Sequence, residues 1–168
     1  MAYRTVAGPG NVEEIIKGSR FLGSAAPIGG AEDARALLDA ARTEHPDATH
    51  HCWAYRLGDE MRFSDDGEPG GTAGRPMLEV LLKRDLDRVN LIVVRYFGGT
   101  QLGAGGLVRA YSGTAAKALD AAGEVEIEDR LLVEAHVDYP FIDGAHRLLA
   151  ATRDARLKGE SYDAAGWQ

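Results

Sequence analysis

A chain of 168 residues with 45% hydrophobic and 27% charged residues has the makeup of one globular domain with room for a small appendage, which excludes disordered, collagen-like and coiled-coil classes. The net charge of −7 speaks against a uniformly basic nucleic-acid binder. The longest aliphatic run, Leu91-Ile92-Val93-Val94, is far short of a membrane span. The single cysteine, Cys52, has no second cysteine to pair with, and Met1-Ala2-Tyr3-Arg4 has no apolar run behind it; together they predict a cytoplasmic setting without a secretory leader.

In chain order, Tyr3–Val6, Val12–Lys17 and Arg20–Ile28 read as short strands separated by Gly8-Pro9-Gly10 and Gly18-Ser19. Ala31–Glu44 reads as an alanine-rich helix with the stripe Ala34, Leu37, Leu38 and Ala41, acidic at its positive end and stopped by Pro46. His51–Leu57 and Met61–Phe63 form a hairpin about Gly58-Asp59-Glu60. Ser64–Gly71 is a polar, turn-rich loop. Thr72 is positioned to cap a helix to about Lys83. Val89–Phe97 is too continuously apolar to have a wet face and is expected at the centre of a sheet. Gly98–Gly106 is a glycine loop, and Leu107–Ala122 a helix stopped by Gly123.

The acidic stretch ending at Asp129 marks a boundary, giving domains 1–129 and 130–168. Within the second, Leu131–Val137 and Arg156–Tyr162 read as strands about a helix over Ile142–Thr152. So short a segment has too little core to stand alone; it is expected to dock, to pair with a second copy, or to be part of a larger domain.

Charge is segregated. Residues 44–69 hold two arginines against seven carboxylates, a balance of −5, and residues 70–117 hold seven basic side chains against three acidic ones, +4. Ten of the 21 glycines fall within residues 67–113. Five of them (Gly98, Gly99, Gly103, Gly105 and Gly106) lie between the central strand and the next helix, where amide N–H groups and a helix N-terminus can converge on an anion. Arg95 at the strand end, Arg109 in the helix and Arg75 add guanidinium groups, and Tyr96 offers a ring. Neither a Walker-type nor a dinucleotide-binding glycine pattern is complete, so close backbone packing is the competing reading of these glycines.

His50-His51-Cys52-Trp53 alternates on a strand, too few ligands for zinc and the wrong geometry for a cysteine nucleophile; no metal or cofactor is expected. Asp65, Asp66 and Glu68 read as a solvated turn and, with His50 and His51, as residues of a cleft if one opens. Trp53, Tyr55, Tyr96, Phe97 and Tyr111 interleave with Arg56, Arg95 and Arg109, the ring-and-cation mixture of single-stranded RNA surfaces. Tyr111 falls on a helix stripe and belongs to the core.

Three stretches carry a resemblance: His50-His51-Cys52-Trp53-Ala54; Ser64-Asp65-Asp66-Gly67-Glu68-Pro69 with Gly71-Thr72-Ala73-Gly74-Arg75-Pro76-Met77-Leu78; and Val93-Val94-Arg95-Tyr96-Phe97-Gly98-Gly99 with Leu102-Gly103-Ala104-Gly105-Gly106-Leu107-Val108-Arg109-Ala110-Tyr111. Together, over about residues 18–123, they resemble the IMPACT family in its bacterial YigZ-type branch. The resemblance implies an α+β fold: a β-α-β domain like elongation factor G domain IV and the GHMP kinases, with a mixed sheet, helices on one face and a left-handed crossover. The kinase glycine loop is matched only in position, so kinase activity is not carried over. It further implies a ferredoxin-like C-terminal domain, of which residues 130–168 hold only the first β-α-β.

The family's eukaryotic members resemble translational regulators that act by protein binding, and the folds of bacterial members suggest nucleic-acid or ribosome contact; no catalytic residues are carried over. The expected function is therefore that of a non-catalytic, translation-associated protein. It would bind RNA, the ribosome or a translation-related protein through the face of Arg75, Arg95, Gly98–Gly106 and Arg109. Two rival readings are an enzyme acting on a small anionic substrate held by the glycine loop, and a protein-interaction module using the acidic 44–69 stretch.

Overall fold

The computed structural model describes residues 2–128, 130–163 and 166–167. Contacts divide the chain into two units, Met1–Asp129 and Arg130–Gln168; Asp129, on which the sequence boundary falls, lies outside the described residues.

The first unit runs β1 (Tyr3–Val6), β2 (Gly10–Ile16), β3 (Ser19–Pro27), α1 (Ala31–Glu44), β4 (His50–Leu57), β5 (Glu60–Ser64), α2 (Gly74–Lys83), β6 (Val89–Tyr96), α3 (Ala104–Ala122) and β7 (Glu124–Ile127). Five strands form one sheet in the order β2-β3-β6-β4-β5, with every neighbouring pair antiparallel. β6 is buried along nearly its whole length, which its unbroken apolar run requires and its central place supplies. β3 and β4 both run against β6 and are therefore parallel to each other, with α1 between them in sequence. β5 and β6 flank β4 in the same way about α2. Two split β-α-β units result, within the α+β class.

Two details of the expected fold are corrected. The five-stranded sheet is antiparallel throughout rather than mixed, and its helices cover both faces. The cause is visible in β4, whose alternate side chains are apolar in both directions. Cys52 and Ala54 join the main core under α2 and α3, with Phe21, Met77, Leu81, Leu91, Val93, Tyr111 and Leu119. Trp53, Tyr55 and Leu57 join a smaller core with Ile28 and with Ala34 and Leu37 of α1. A strand apolar on both sides needs cover on both.

Backbone approaches backbone where α3 crosses β2. A Cβ on Gly10 would lie 2.2 Å from the Ala122 amide nitrogen, so only glycine fits there. A ribbon of β1 and β7 completes the unit, pairing Tyr3 with Ile127 through Val6 with Glu124. Charge hid β7 in the sequence: Val125 and Ile127 alternate with glutamates, and Arg4 reaches one of these, Glu124, at 2.5 Å.

The second unit holds β8 (Val137–Asp138), a 3₁₀ turn (Tyr139–Phe141), α4 (Ile142–Ala151) and β9 (Gly166–Trp167). β8 and β9 pair antiparallel. The helix falls where the sequence places it, but the expected strands Leu131–Val137 and Arg156–Tyr162 do not form at those spans. Leu131, Leu132 and Val133 stand 95%, 69% and 78% exposed, without the partner strand an apolar run needs. Among the described residues no helix is long and apolar enough to cross a membrane.

Candidate functional site

The antiparallel ladders set Phe21, Arg95 and His50 side by side across three strands, on the face that α2 and α3 cover. Arg95 is only 5% exposed. Its Nη1 donates to Glu68 Oε1 at 2.7 Å and its Nη2 to Ser19 Oγ at 3.2 Å. The Tyr111 hydroxyl donates to the same Glu68 oxygen at 2.6 Å. Tyr111 meets Phe21 edge-on at 5.4 Å, and the Arg95 guanidinium lies 5.4 Å from the Phe21 ring. His50 Nδ1 donates to the Asp66 carbonyl at 2.7 Å. A carbonyl only accepts, so this bond fixes the tautomer and turns Nε2 toward Glu68 Oε2, 3.7 Å away.

Arg95 is thereby corrected as a phosphate contact. It follows the buried apolar run Leu91–Val94 near the end of β6, and a guanidinium there is tolerable only with a carboxylate brought to it. Glu68 is that carboxylate, and burial of both makes the pair a structural pin.

The neighbouring carboxylates are also committed, which corrects the reading of this loop as a solvated turn. Asp65 Oδ1 accepts from the amides of Ala73 and Gly74 at 3.0 and 2.8 Å, and Oδ2 from Gly71 at 2.8 Å. It, and not Thr72, caps α2. Asp66 Oδ2 accepts from the His51 amide at 2.7 Å, and His51 Nε2 donates to the His45 carbonyl at 3.0 Å. The cleft residues His50, His51, Asp65, Asp66 and Glu68 come together, but as an internal network joining β4, the loop and α2. None is left as an unengaged acid or base. Glu68 and Ser19 as partners of one arginine, with Tyr111 sharing Glu68, escaped sequence reasoning; the one available signal was an arginine near the end of a buried strand.

Cys52 is buried, with its thiol donating to the Asp65 carbonyl at 3.1 Å. Burial pushes this thiol up to about 12, and burial likewise drives the Tyr111 hydroxyl far above its ordinary range. The folded thiol keeps its proton at pH values where an unfolded one, near about 8.5, has lost it. Unfolding then releases a proton, so stability falls as pH rises through about 9 to 12, by up to about 1.4 kcal/mol per pH unit. Urea midpoints across that range should show the slope, and Cys52→Ala should remove the thiol's share of it.

The glycine loop is open. Phe97 is 49% exposed, and Gly98 to Gln101 with Gly103 to Gly105 also face solvent. Gly98 backs onto the β2–β3 turn, where a Cβ would lie 2.0 Å from the Gly18 carbonyl, and its amide is taken by Ser19 Oγ at 3.2 Å. Close packing therefore accounts for Gly98. It bears on Gly106, where a Cβ would lie 3.0 Å from Leu102 Cβ, but does not account for Gly103 or Gly105 at the start of α3. Gly103 lends only its carbonyl, to Leu107; no side chain caps the helix and no acidic residue sits in its first turn. The amides of Ala104, Gly105 and Gly106 meet no acceptor among the described residues.

Arg109, one turn on, is exposed, and its guanidinium makes no ion pair or hydrogen bond among the described residues. Arg75 is exposed but bound to Glu79 at 3.4 Å, and Tyr96 is half-buried with its hydroxyl on His45 Nδ1 at 2.9 Å. The two arginines expected to act together are separated by burial: Arg109 faces solvent and Arg95 the core.

The family model of the Impact N-terminal domain matches residues 17–119. An IMPACT family member of Thermus thermophilus is 51% identical over 137 residues, covering 82% of this chain and 75% of its own. The IMPACT family member YigZ of Escherichia coli is 48% identical over 118 residues, 67% of this chain and 58% of its own length. Among solved structures, a hypothetical protein matches with a TM-score of 0.72 and 36% identity over 99% of this chain and 82% of that one. The motifs that build the buried pin, the α2 cap and the open loop all lie within the matched span, and the chain belongs to the IMPACT family.

Proposed function

We propose that this protein is a non-catalytic, translation-associated regulator that contacts RNA on or near the ribosome through the open loop at the head of α3. The observation that carries this reading is the uncapped helix start. Three free amides, a helix dipole, the unpaired Arg109 guanidinium and the half-exposed Phe97 ring belong to one continuous stretch, residues 97–109. A phosphate suits the amides and the arginine, and a base suits the ring. Gly99, Gly103 and Gly105 keep the backbone bare enough for close approach. The family's association with translation supplies the setting, in the cytoplasm.

Enzymatic action on a small anion is the weaker reading, because the acid–base candidates beside the loop are engaged in holding the fold together. Retention on single-stranded RNA at low ionic strength is the test. Arg109→Glu should weaken it and lower the slope of log affinity against log salt by about 1. Wild-type protein that fails to bind RNA even in dilute buffer would overturn the proposal.

A further inference from the structure

On the opposite face of the sheet from α3, a cavity of about 360 Å³ opens between the first half of α1 and strands β4 and β5. That volume is in the range of small-ligand sites. Trp53 and Tyr55 line it, two residues apart on β4, with rings nearly parallel at 13° and centroids 5.9 Å apart. Ala34 and Leu38 of α1 make an apolar wall.

Guanidinium groups stand on both sides, Arg35 from the helix and Arg62 from the edge strand. Arg35 has no hydrogen bond or ion pair among the described residues. Arg62 is 66% exposed and spends only its Nε on Glu60, at 3.3 Å. Glu60 is occupied, since it also accepts the Tyr55 hydroxyl at 2.8 Å. Glu32 at the rim is the remaining carboxylate.

From this set of groups we infer a binding site for a nucleoside monophosphate, either free or as a residue of single-stranded RNA. Trp53 offers a stacking surface for a flat base, because every base has a π-face and indole is the strongest ring for it. Arg35 and Arg62 suit a phosphate, whose oxygens take paired N–H donors. Glu32 suits an amino group on the base, which makes AMP the probe. Arg35 acts on the Tyr55 hydroxyl only through its charge, and its helix is already anchored by Ala34 and Leu37, so its N–H donors are left for a ligand. The site shares no residue with the loop at the head of α3.

The chain has two tryptophans; in a Trp167→Phe protein, Trp53 is the sole indole and reports directly. AMP should quench its emission saturably, and ribose 5-phosphate should not. Arg35→Ala and Arg62→Ala should each weaken AMP several-fold while leaving adenosine unchanged, with unaltered thermal unfolding showing that the fold is kept. Absence of saturable quenching by AMP and by an adenine oligoribonucleotide overturns the site. Equal binding of AMP and adenosine overturns the roles of the arginines. Tighter binding of the oligoribonucleotide assigns single-stranded RNA as the source, and tighter binding of AMP assigns free nucleotide. Arg109→Glu should leave the quenching intact, so the two sites fail or stand separately.

Discussion

Replacing Glu68 with alanine is expected to destabilise the first unit by about 3–5 kcal/mol, the cost of leaving a buried charge without its partner. Arg95 would lose its carboxylate at 2.7 Å and Tyr111 its acceptor at 2.6 Å. Tyr111 would keep only the Cys52 thiol beside it and Arg95 only Ser19 Oγ as a hydrogen-bond acceptor among the described residues, and Arg95 Nε already has no acceptor. For a unit of this size the loss corresponds to a fall in melting temperature of about 10 °C or more.

Glu68→Gln keeps an acceptor but removes the charge, and should fall between alanine and wild type. The double variant Arg95→Met/Glu68→Met should recover much of the loss, because a neutral apolar pair has no desolvation to offset. Urea unfolding of wild type, Glu68→Met, Arg95→Met and the double variant closes the cycle and gives the coupling energy. A change below about 0.5 kcal/mol for Glu68→Ala, the size of an ordinary surface substitution, would mean that Arg95 has another outlet for its charge. It would then be free to serve a ligand after all.

Much of the frame was legible in the residues. Ala31–Glu44 is a helix over that same span, because alanine spacing, an acidic first turn and a following proline all act locally. Val89–Tyr96 is central because an unbroken apolar run allows nothing else. The β7 strand was not legible, since its glutamates disguise the alternation of Val125 and Ile127. The second face of the sheet was missed for a related reason: Trp53 and Tyr55 read only as rings interleaved with cations, whereas they also form the floor under α1.

The site divided along the same line. Features set by one segment, such as the bare helix start at Gly103–Gly106, can be inferred from sequence. Features set by meeting partners cannot. Glu68 sits in a run of turn-formers, Ser64-Asp65-Asp66-Gly67-Glu68-Pro69, whose composition signals solvent. Only the fold brings it under Tyr111 and against Arg95, 27 residues along the chain. Turn-forming composition describes the backbone's path, and says nothing of which carboxylates that path delivers inward.

Asp65 makes the same point with a measurable consequence. The sequence nominates Thr72 as the α2 cap by proximity, yet the Thr72 hydroxyl donates to the Pro69 carbonyl at 2.6 Å and closes the preceding turn. The capping oxygens come from Asp65, which serves Gly71, Ala73 and Gly74 together. Ala73 and Gly74 are buried, so Asp65→Ala strands two donors away from water at about 1–3 kcal/mol each. It also removes a negative charge from the positive end of the helix. Asp65→Ala should therefore cost about 3 kcal/mol, and Thr72→Ala only about 1 kcal/mol, that of a single neutral hydrogen bond. Asp65→Asn, which keeps one acceptor oxygen, should fall between them. Amide hydrogen exchange gives the sharper readout: in Asp65→Ala the amides of Ala73 and Gly74 should exchange far faster, while those in the middle of α2 slow or quicken only with global stability. If Thr72→Ala proved the costlier change, the cap would lie where simple sequence proximity puts it, and Asp65 would be no more than a partner of the loop.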